Sequence, residues 1–254
     1  MLPLQGKKGL VTGIANDASI AYGCARAFRR QGAELAITYL NAKAEPHVRP
    51  LAEEVESALL LPLDVERPGE MAGVFDAIAA SWGRLDFVVH ALAFAPAADL
   101  HGRVTDCSLA GFQRAMHVSC YSFIEMARYA EPLLRDGGTL LTMSFYGADK
   151  VLGDYNLMGP VKAALQCSVR YLARELGPAG IRVHALSPGP IRTRAAGGLG
   201  RFDELVADAA ARTPSGQLAT IDDVGEVAAF LVSDAARALT GDTVFVDGGR
   251  HVMG

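Results

Sequence analysis

The stretch GLVTGIANDASIA, residues 9–21, decides the fold. Its first five residues, 9–13, form a short apolar run that predicts a β-strand ending at a glycine, and the pattern from Ser19 to Gly32 predicts an amphipathic helix. A strand, a glycine turn and a helix N-terminus together form an anion site, because the backbone N–H groups and the helix dipole both favour negative charge. The spacing G-x-G-x-x-G is absent. This stretch alone therefore leaves two interpretations open, a dinucleotide site and a plain helix cap at Ser19.

The same alternation of strand and helix continues along the chain. It predicts an α/β fold: a single Rossmann-type, doubly wound parallel sheet with helices on both faces and ligands at the carboxyl ends of the strands. We predict one dinucleotide-binding domain, residues 1–254, with a substrate lid around 190–221 that contains the glycine-rich stretch 196–200. The predicted strands are 9–13, 34–40, 58–65, 85–93, 138–144, 181–189 and 243–249, and the main helices after the first are 44–57, 69–82, 109–134, 155–176 and 222–233.

Composition excludes several classes of protein. Half of the 254 residues are hydrophobic, 20% are charged and the net charge is −4, which indicates a sizeable core rather than disorder. Basic residues never run longer than two, so we expect no nucleic-acid partner. No leader peptide or apolar stretch of membrane-spanning length is evident, so we expect a cytoplasmic protein with no membrane contact. The four cysteines lack a C-x-x-C pair and the six histidines lack ligand spacing, which predicts free thiols and no metal.

The ends of the second and third strands bear on the choice of cofactor. A 2′-phosphate favours an arginine after the second strand, and the chain has Leu40 there, which favours NADH; Lys43 is near enough to leave NADPH open. Asp64, which precedes Val65 at the end of the third strand, can accept a bond from an adenine amino group. It can equally be a turn residue or a cap for the next helix.

The segment YNLMGPVK, residues 155–162, carries the candidate chemistry. In a helix, Tyr155 and Lys162 would share one face, roughly 10.5 Å apart along the axis. A lysine there can hold ribose hydroxyls and favour the phenolate, and a phenol can donate to a developing oxyanion. An amphipathic helix with two snorkelling side chains is the alternative. Gly159 and Pro160 inside a helix would violate helix propensity, which is typical of functional sites.

Together these segments resemble the short-chain dehydrogenase/reductase superfamily and, within it, the NADH-dependent bacterial enoyl-acyl-carrier-protein reductases. The resemblance covers nearly the whole chain, and the spacing Tyr-x6-Lys separates it from ordinary carbonyl reductases, which have Tyr-x3-Lys. It is carried by Gly13-x5-Ser19-Ile20-Ala21-Tyr22-Gly23, Gly32-Ala33-Glu34-Leu35-Ala36, Asp64-Val65, His90 with Phe94-Ala95-Pro96, Tyr155-x6-Lys162, Gly189-Pro190-Ile191-Arg192-Thr193 and Val246-Asp247-Gly248-Gly249.

The resemblance implies hydride transfer from NADH to the β-carbon of a trans-2-enoyl thioester in fatty acid biosynthesis, with the substrate on acyl carrier protein and the enzyme a homotetramer. Tyr155 would stabilise the enolate and Lys162 would fix the cofactor ribose. Ala95, Phe145 and Tyr155 would meet the substrate. The cofactor residues that it implies are Gly13, Ile14, Ser19, Ile20, Leu40, Asp64, Val65, Leu92, Lys162, Ile191, Arg192, Thr193, Arg194 and Ala195.

The sequence departs from the family pattern at four places. Phe145 stands where a second active-site tyrosine is usual, with Tyr146 after it expected to point elsewhere, and Ala93 replaces a glycine. The segment 200–205, inside the predicted lid, has Arg201 beside two acids, Asp203 and Glu204, where basic side chains would suit an acidic carrier protein. Pro160-Val161 is the fourth departure. These leave open a same-fold oxidoreductase acting on an enoyl-CoA, an enone or a ketone, and a non-enzymatic dinucleotide sensor.

Overall fold

The computed structural model describes residues 2–153, 155–193 and 202–253. One seven-stranded sheet runs in the order β3-β2-β1-β4-β5-β6-β7, and every neighbouring pair is parallel. This confirms the predicted α/β architecture. The strands are β1 Lys8–Thr12, β2 Glu34–Tyr39, β3 Leu59–Pro62, β4 Phe87–His90, β5 Gly138–Met143, β6 Ile181–Pro188 and β7 Thr243–Val246.

Helices cover both faces of the sheet. Leu10 and Val11, neighbours on β1, are both fully buried, because one faces each of the two hydrophobic clusters. Strands covered on both faces read as continuous apolar runs, as here. The helices are α1 Ile20–Arg30, α2 Glu45–Glu54, α3 Glu70–Trp82, α4 Ala97–Leu100, α5 Leu109–Met116, α6 Ser122–Ala130, α7 Met158–Leu176, α8 Phe202–Arg212 and α9 Ile221–Val232.

The strand order reverses at β1, whose neighbours are β2 and β4. In open α/β sheets the crevice at such a switch point, beyond the carboxyl ends of the strands, is where ligands bind. The residues that follow β1, β4, β5 and β6 therefore border the expected site.

The predicted helix 109–134 is helical up to Leu133 but is not a uniform α-helix. A π-turn, His117–Tyr121, separates α5 from α6, and it places Ser119 at a fully buried position. Such turns are frequent at functional sites. The structure also contains two helices that the sequence reading did not place, α4 after β4 and α8 within residues 190–221.

The predicted helix 155–176 begins three residues late, at Met158. Asn156 has a φ of 41°, which is left-handed, and its side-chain amide donates to the carbonyl oxygen of Leu100 at 2.9 Å. Gly159 and Pro160 consequently lie in the first turn of α7, where the missing proline N–H removes no helical bond. The idea that they break a helix interior is wrong.

All four cysteines are free. Within residues 2–153, 155–193 and 202–253 there is no group of three histidine, cysteine or acidic side chains that could hold a metal ion. No helix in the described part of the chain is long and apolar enough to cross a membrane.

Candidate active site

Tyr155 and Lys162 are both buried at the carboxyl end of β5. Lys162, on α7, donates from Nζ to the carbonyl oxygen of Met143, the last residue of β5, at 2.6 Å. Tyr155 packs on the segment that follows β5. The predicted shared helix face is wrong, because Tyr155 lies in the turn that precedes α7. The two side chains are nevertheless brought to the same strand end.

The ring of Tyr155 lies in a slot made by the segment after β5. Its centroid is 5.0 Å from that of Phe145, with the rings tilted by 59°. Gly147 lies against the same ring, since a Cβ on it would come within 2.3 Å of Tyr155 Cδ1. A tyrosine ring fits here only because residue 147 has no side chain.

The acid–base state of the pair follows from burial. Burial raises the pKa of Tyr155, so in the ligand-free protein the phenol is protonated and can donate a hydrogen bond. That Lys162 favours the phenolate stays a prediction. Burial lowers the pKa of Lys162 to about 8, opposed by the Cys120 thiol.

His90 is a fully buried neutral hydrogen-bonding group behind this pair. Its Nδ1 lies 2.9 Å from Thr142 Oγ1 and its Nε2 2.8 Å from Ser122 Oγ. Burial, followed by the positive charge of Lys162, lowers its pKa to about 3. His90 is therefore neutral and adds no second positive charge near Lys162. Its two hydrogen bonds join the end of β4 to β5 and α6.

The turn after β1 fits a pyrophosphate. Gly13 has a φ of 96°, which favours glycine. Ser19 is the N-cap residue of α1, but its Oγ accepts from the backbone N–H groups of Ala15 and Asn16 at 3.0 and 3.1 Å, so the side chain holds the turn and makes no cap bond to the helix. The first turn of α1 carries no acidic side chain. Its amides therefore remain available to an anion.

The other predicted cofactor residues follow strand ends along the same edge of the sheet. Leu40, after β2, is exposed and offers an apolar surface. Asp64 Oδ1 accepts from the backbone N–H of Glu66 at 3.0 Å, so it is a turn residue, and Gly69 rather than Asp64 precedes α3. Val65 follows β3, Ile14 and Ile20 flank the β1 turn, Leu92 follows β4, and Ile191, Arg192 and Thr193 follow β6. Arg194 and Ala195 lie outside the described residues.

The segment after β4, which contains Ala95, is held from two sides that sequence reasoning missed. Ser119 Oγ accepts from the backbone N–H of Phe94 at 2.9 Å and donates to its carbonyl oxygen at 3.1 Å. The guanidinium of Arg114 lies 4.5 Å from the Phe94 ring centroid and makes two bonds to Glu66, at 2.7 and 2.8 Å. The sequence signal for the Ser119 contact is a polar residue, Ser119, on the buried face of a predicted helix.

Tyr146 points away from the Phe145–Tyr155 slot, as predicted. Its ring centroid is 5.7 Å from the Arg250 guanidinium, which also reaches Asp208 on α8 at 3.4 Å. At the start of α8, Asp203 accepts from Arg192 at 2.5 Å. Both contacts tie α8 to the strand ends at the site.

A family model described as enoyl-(acyl carrier protein) reductase matches residues 13–251 of the chain. A Rickettsia felis protein named as the NADH-dependent enoyl-acyl-carrier-protein reductase FabI is 45% identical over 251 residues, covering 99% of this chain and 96% of that protein. A protein of the same name from Aquifex aeolicus is 44% identical over 252 residues, covering 99% of this chain and 93% of its own length.

Solved structures of the same class superpose closely. The enoyl-acyl-carrier-protein reductase of Anaplasma phagocytophilum, in complex with NAD, is 47% identical with a TM-score of 0.96, covering 100% of this chain and 97% of that one. The Bacillus cereus reductase, with NADP+ and an indole naphthyridinone, is 42% identical with a TM-score of 0.98 and full coverage of both chains.

Proposed function

The chain belongs to the enoyl-(acyl carrier protein) reductase family, and we propose that it uses NADH to reduce the trans-2 double bond of an enoyl thioester on acyl carrier protein, in fatty acid biosynthesis. The observation that carries the proposal is the convergence of Tyr155 and Lys162 at the end of β5, on the edge that also holds the uncapped N-terminus of α1. One edge therefore offers an anion site, a cation and a neutral acid.

Each residue of the proposed site has a separate task. The amides at the start of α1 bind the pyrophosphate, and the Lys162 ammonium moves from the Met143 carbonyl to the ribose hydroxyls. Leu40, Val65 and Leu92 supply apolar contacts, and Asp64 accepts from the adenine amino group. The remaining proposed cofactor contacts are Gly13, Ile14, Ser19, Ile20, Ile191, Arg192, Thr193, Arg194 and Ala195.

When bound, NADH supplies the hydride, which the β-carbon of the substrate accepts. The electron pair of the double bond moves towards the thioester carbonyl, and Tyr155 Oη donates to that oxygen as its negative charge grows. A proton taken from solvent then adds at the α-carbon and gives the saturated thioester. The oxygen is two carbons from the carbon that accepts hydride, whereas in a ketone it is on that carbon. Setting Tyr155 in a turn before α7 provides this greater separation.

Ala95 and Phe145 form the apolar part of the proposed substrate site. Phe145 contacts Tyr155 by its ring alone, so the site is less polar than one with a second tyrosine. Residues 190–221 act as the substrate lid, with α8 inside it and the Arg192–Asp203 pair at its base.

Two apolar surfaces support a homotetramer. Leu109, Phe112 and Ile124 are exposed on α5 and α6, whereas Phe230 on α9 and Leu239 before β7 are exposed across the sheet. Two distinct twofold contacts generate a tetramer. Light scattering is expected to give four times the 26.8 kDa of one chain. The four free thiols fit a cytoplasmic, reducing location.

The test follows NADH oxidation by the purified protein with matched trans-2-enoyl substrates on acyl carrier protein and on CoA, with NADPH as the control nucleotide. Preference for the carrier-protein substrate and for NADH supports the proposal. Equal turnover on CoA supports the enoyl reduction and contradicts a requirement for the carrier protein. This outcome needs checking because Arg192, a basic residue that could meet an acidic carrier protein, is paired with Asp203. NADH binding without turnover on either substrate contradicts the proposed reaction.

A further inference from the structure

Gln166 links α7 to the segment that shapes the Tyr155 slot. It lies one helical turn after Lys162 and is 5% exposed. Its Nε2 donates to Ser144 Oγ at 2.9 Å and to Asp149 Oδ2 at 3.2 Å. A carboxylate only accepts hydrogen bonds, so the contact with Asp149 fixes the orientation of the amide.

The two acceptors lie at the two ends of one short segment. Ser144 directly follows β5, and Asp149 ends the single 3₁₀ turn Tyr146–Ala148. Between them lie Phe145 and Gly147, which both lie against the Tyr155 ring. Gln166 therefore holds both ends of the surface on which Tyr155 rests.

We infer that Gln166 is a positioning residue for the reductase reaction: by bonding Ser144 and Asp149 it fixes the 144–149 segment, and so the direction in which the Tyr155 hydroxyl points. The inference rests on the proposed role of Tyr155. Ring packing orients Tyr155 here, because residue 145 is a phenylalanine and has no hydroxyl group that could bond to Tyr155. A loosened segment would let the ring shift, and small misplacements of a catalytic group cost rate rather than cofactor affinity.

The contact depends on a neutral donor at position 166. The charged groups near it are Asp149 and Lys150, both exposed on the segment, and Lys162 and Arg170, one turn away on either side along α7. An ionised carboxylate at position 166 has no donor, so it would keep the Ser144 contact only if that hydroxyl rotates to donate, and it would lose the bond to Asp149 and repel it. A protonated carboxyl keeps one donor.

The variant Gln166→Glu uses this dependence. Burial and the Asp149 charge raise the pKa of the new carboxyl, and the Lys162 and Arg170 charges, one turn away on either side, oppose that rise. We expect kcat near the wild-type value at about pH 6 and about tenfold below it at about pH 8, with the NADH dissociation constant unchanged within about twofold. The same exchange at exposed Gln5, at the opposite end of the sheet, should leave the pH profile of the wild type unaltered.

The double variant Gln166→Glu with Asp149→Asn reverses the polarity of the contact, because the asparagine amide donates to the glutamate and the Ser144 hydroxyl rotates to donate as well. We expect kcat at about pH 8 to return to within about threefold of wild type. Gln166→Met, which removes both bonds without a charge, should lower kcat about tenfold at every pH. Thermal unfolding of each variant at both pH values separates loss of rate from loss of folded protein.

The inference is overturned if the pH profile of Gln166→Glu superimposes on that of the wild type, or if the double variant is no faster than the single one. In either case, turnover by the wild-type protein still supports the proposed function. If either charged variant fails to fold, Gln166→Met decides: kcat equal to wild type overturns the inference. A wild-type protein that reduces no enoyl thioester removes both proposals.

Discussion

The Phe145 and Tyr155 rings pack against each other at a tilt of 59°, with centroids 5.0 Å apart. Tilted pairs at this distance are favourable beyond the area that they bury. Gly147 leaves the space on the other side of the Tyr155 ring. The site thus orients its proposed acid by packing.

The variants Phe145→Tyr and Phe145→Ala distinguish the contribution of the ring at position 145 from that of a hydroxyl group, which phenylalanine lacks. The tyrosine keeps the tilted contact, so we expect kcat to stay within about threefold, whereas alanine removes the contact and should lower kcat about tenfold. Steady-state kinetics on one enoyl substrate measures both. Equal losses in the two variants would contradict positioning by the ring.

Tyr155→Phe removes the proposed donor and keeps the ring. We expect kcat to fall by about a hundredfold or more, because no other group replaces the hydrogen bond to the developing enolate. NADH affinity, read by nucleotide fluorescence, should be nearly intact. A large loss of NADH binding would reject the assignment of Tyr155 to the substrate.

Lys162 makes NADH binding sensitive to alkaline pH. Burial lowers its pKa to about 8, so in the ligand-free protein the ammonium is complete below that pH and is lost as the pH rises above it. If the charged form binds, the dissociation constant for NADH should be about tenfold higher at pH 9 than at pH 7. Lys162→Met should bind NADH more weakly with no such dependence. A parallel rise in both proteins would assign the titration elsewhere.

Gly147→Ala tests the slot, with Gly153→Ala as the matched control. The added methyl at 147 would lie 2.3 Å from Tyr155 Cδ1, whereas at 153 it meets nothing within 4 Å. We expect Gly147→Ala to cost about 1–3 kcal/mol of unfolding free energy and most of the activity. Gly153→Ala should leave thermal unfolding and kcat near wild type. Activity retained by Gly147→Ala would show that Tyr155 can function from another position.

Local features were predicted well from the sequence and distant contacts were not. The strand, glycine turn and helix at residues 9–32 are contiguous, so pattern alone identified them. The start of α7 was misplaced because Asn156 takes its left-handed conformation with a bond to Leu100, 56 residues earlier. The roles of Ser119 and Gln166 cannot be predicted from the sequence for the same reason, since their partners, Phe94 and Ser144, lie on other elements.

The Tyr155–Lys162 spacing has a consequence for protein engineering. In a continuous helix, seven residues return a side chain to nearly the same azimuth, and adding one residue would rotate it by about 100°. Here a left-handed residue at Asn156 interrupts that phase relation, so the tyrosine's place is a matter of loop design. Grafting this pair into another scaffold therefore requires transplanting residues 155–157 together with their anchor at Leu100; copying a helical heptad would not reproduce it.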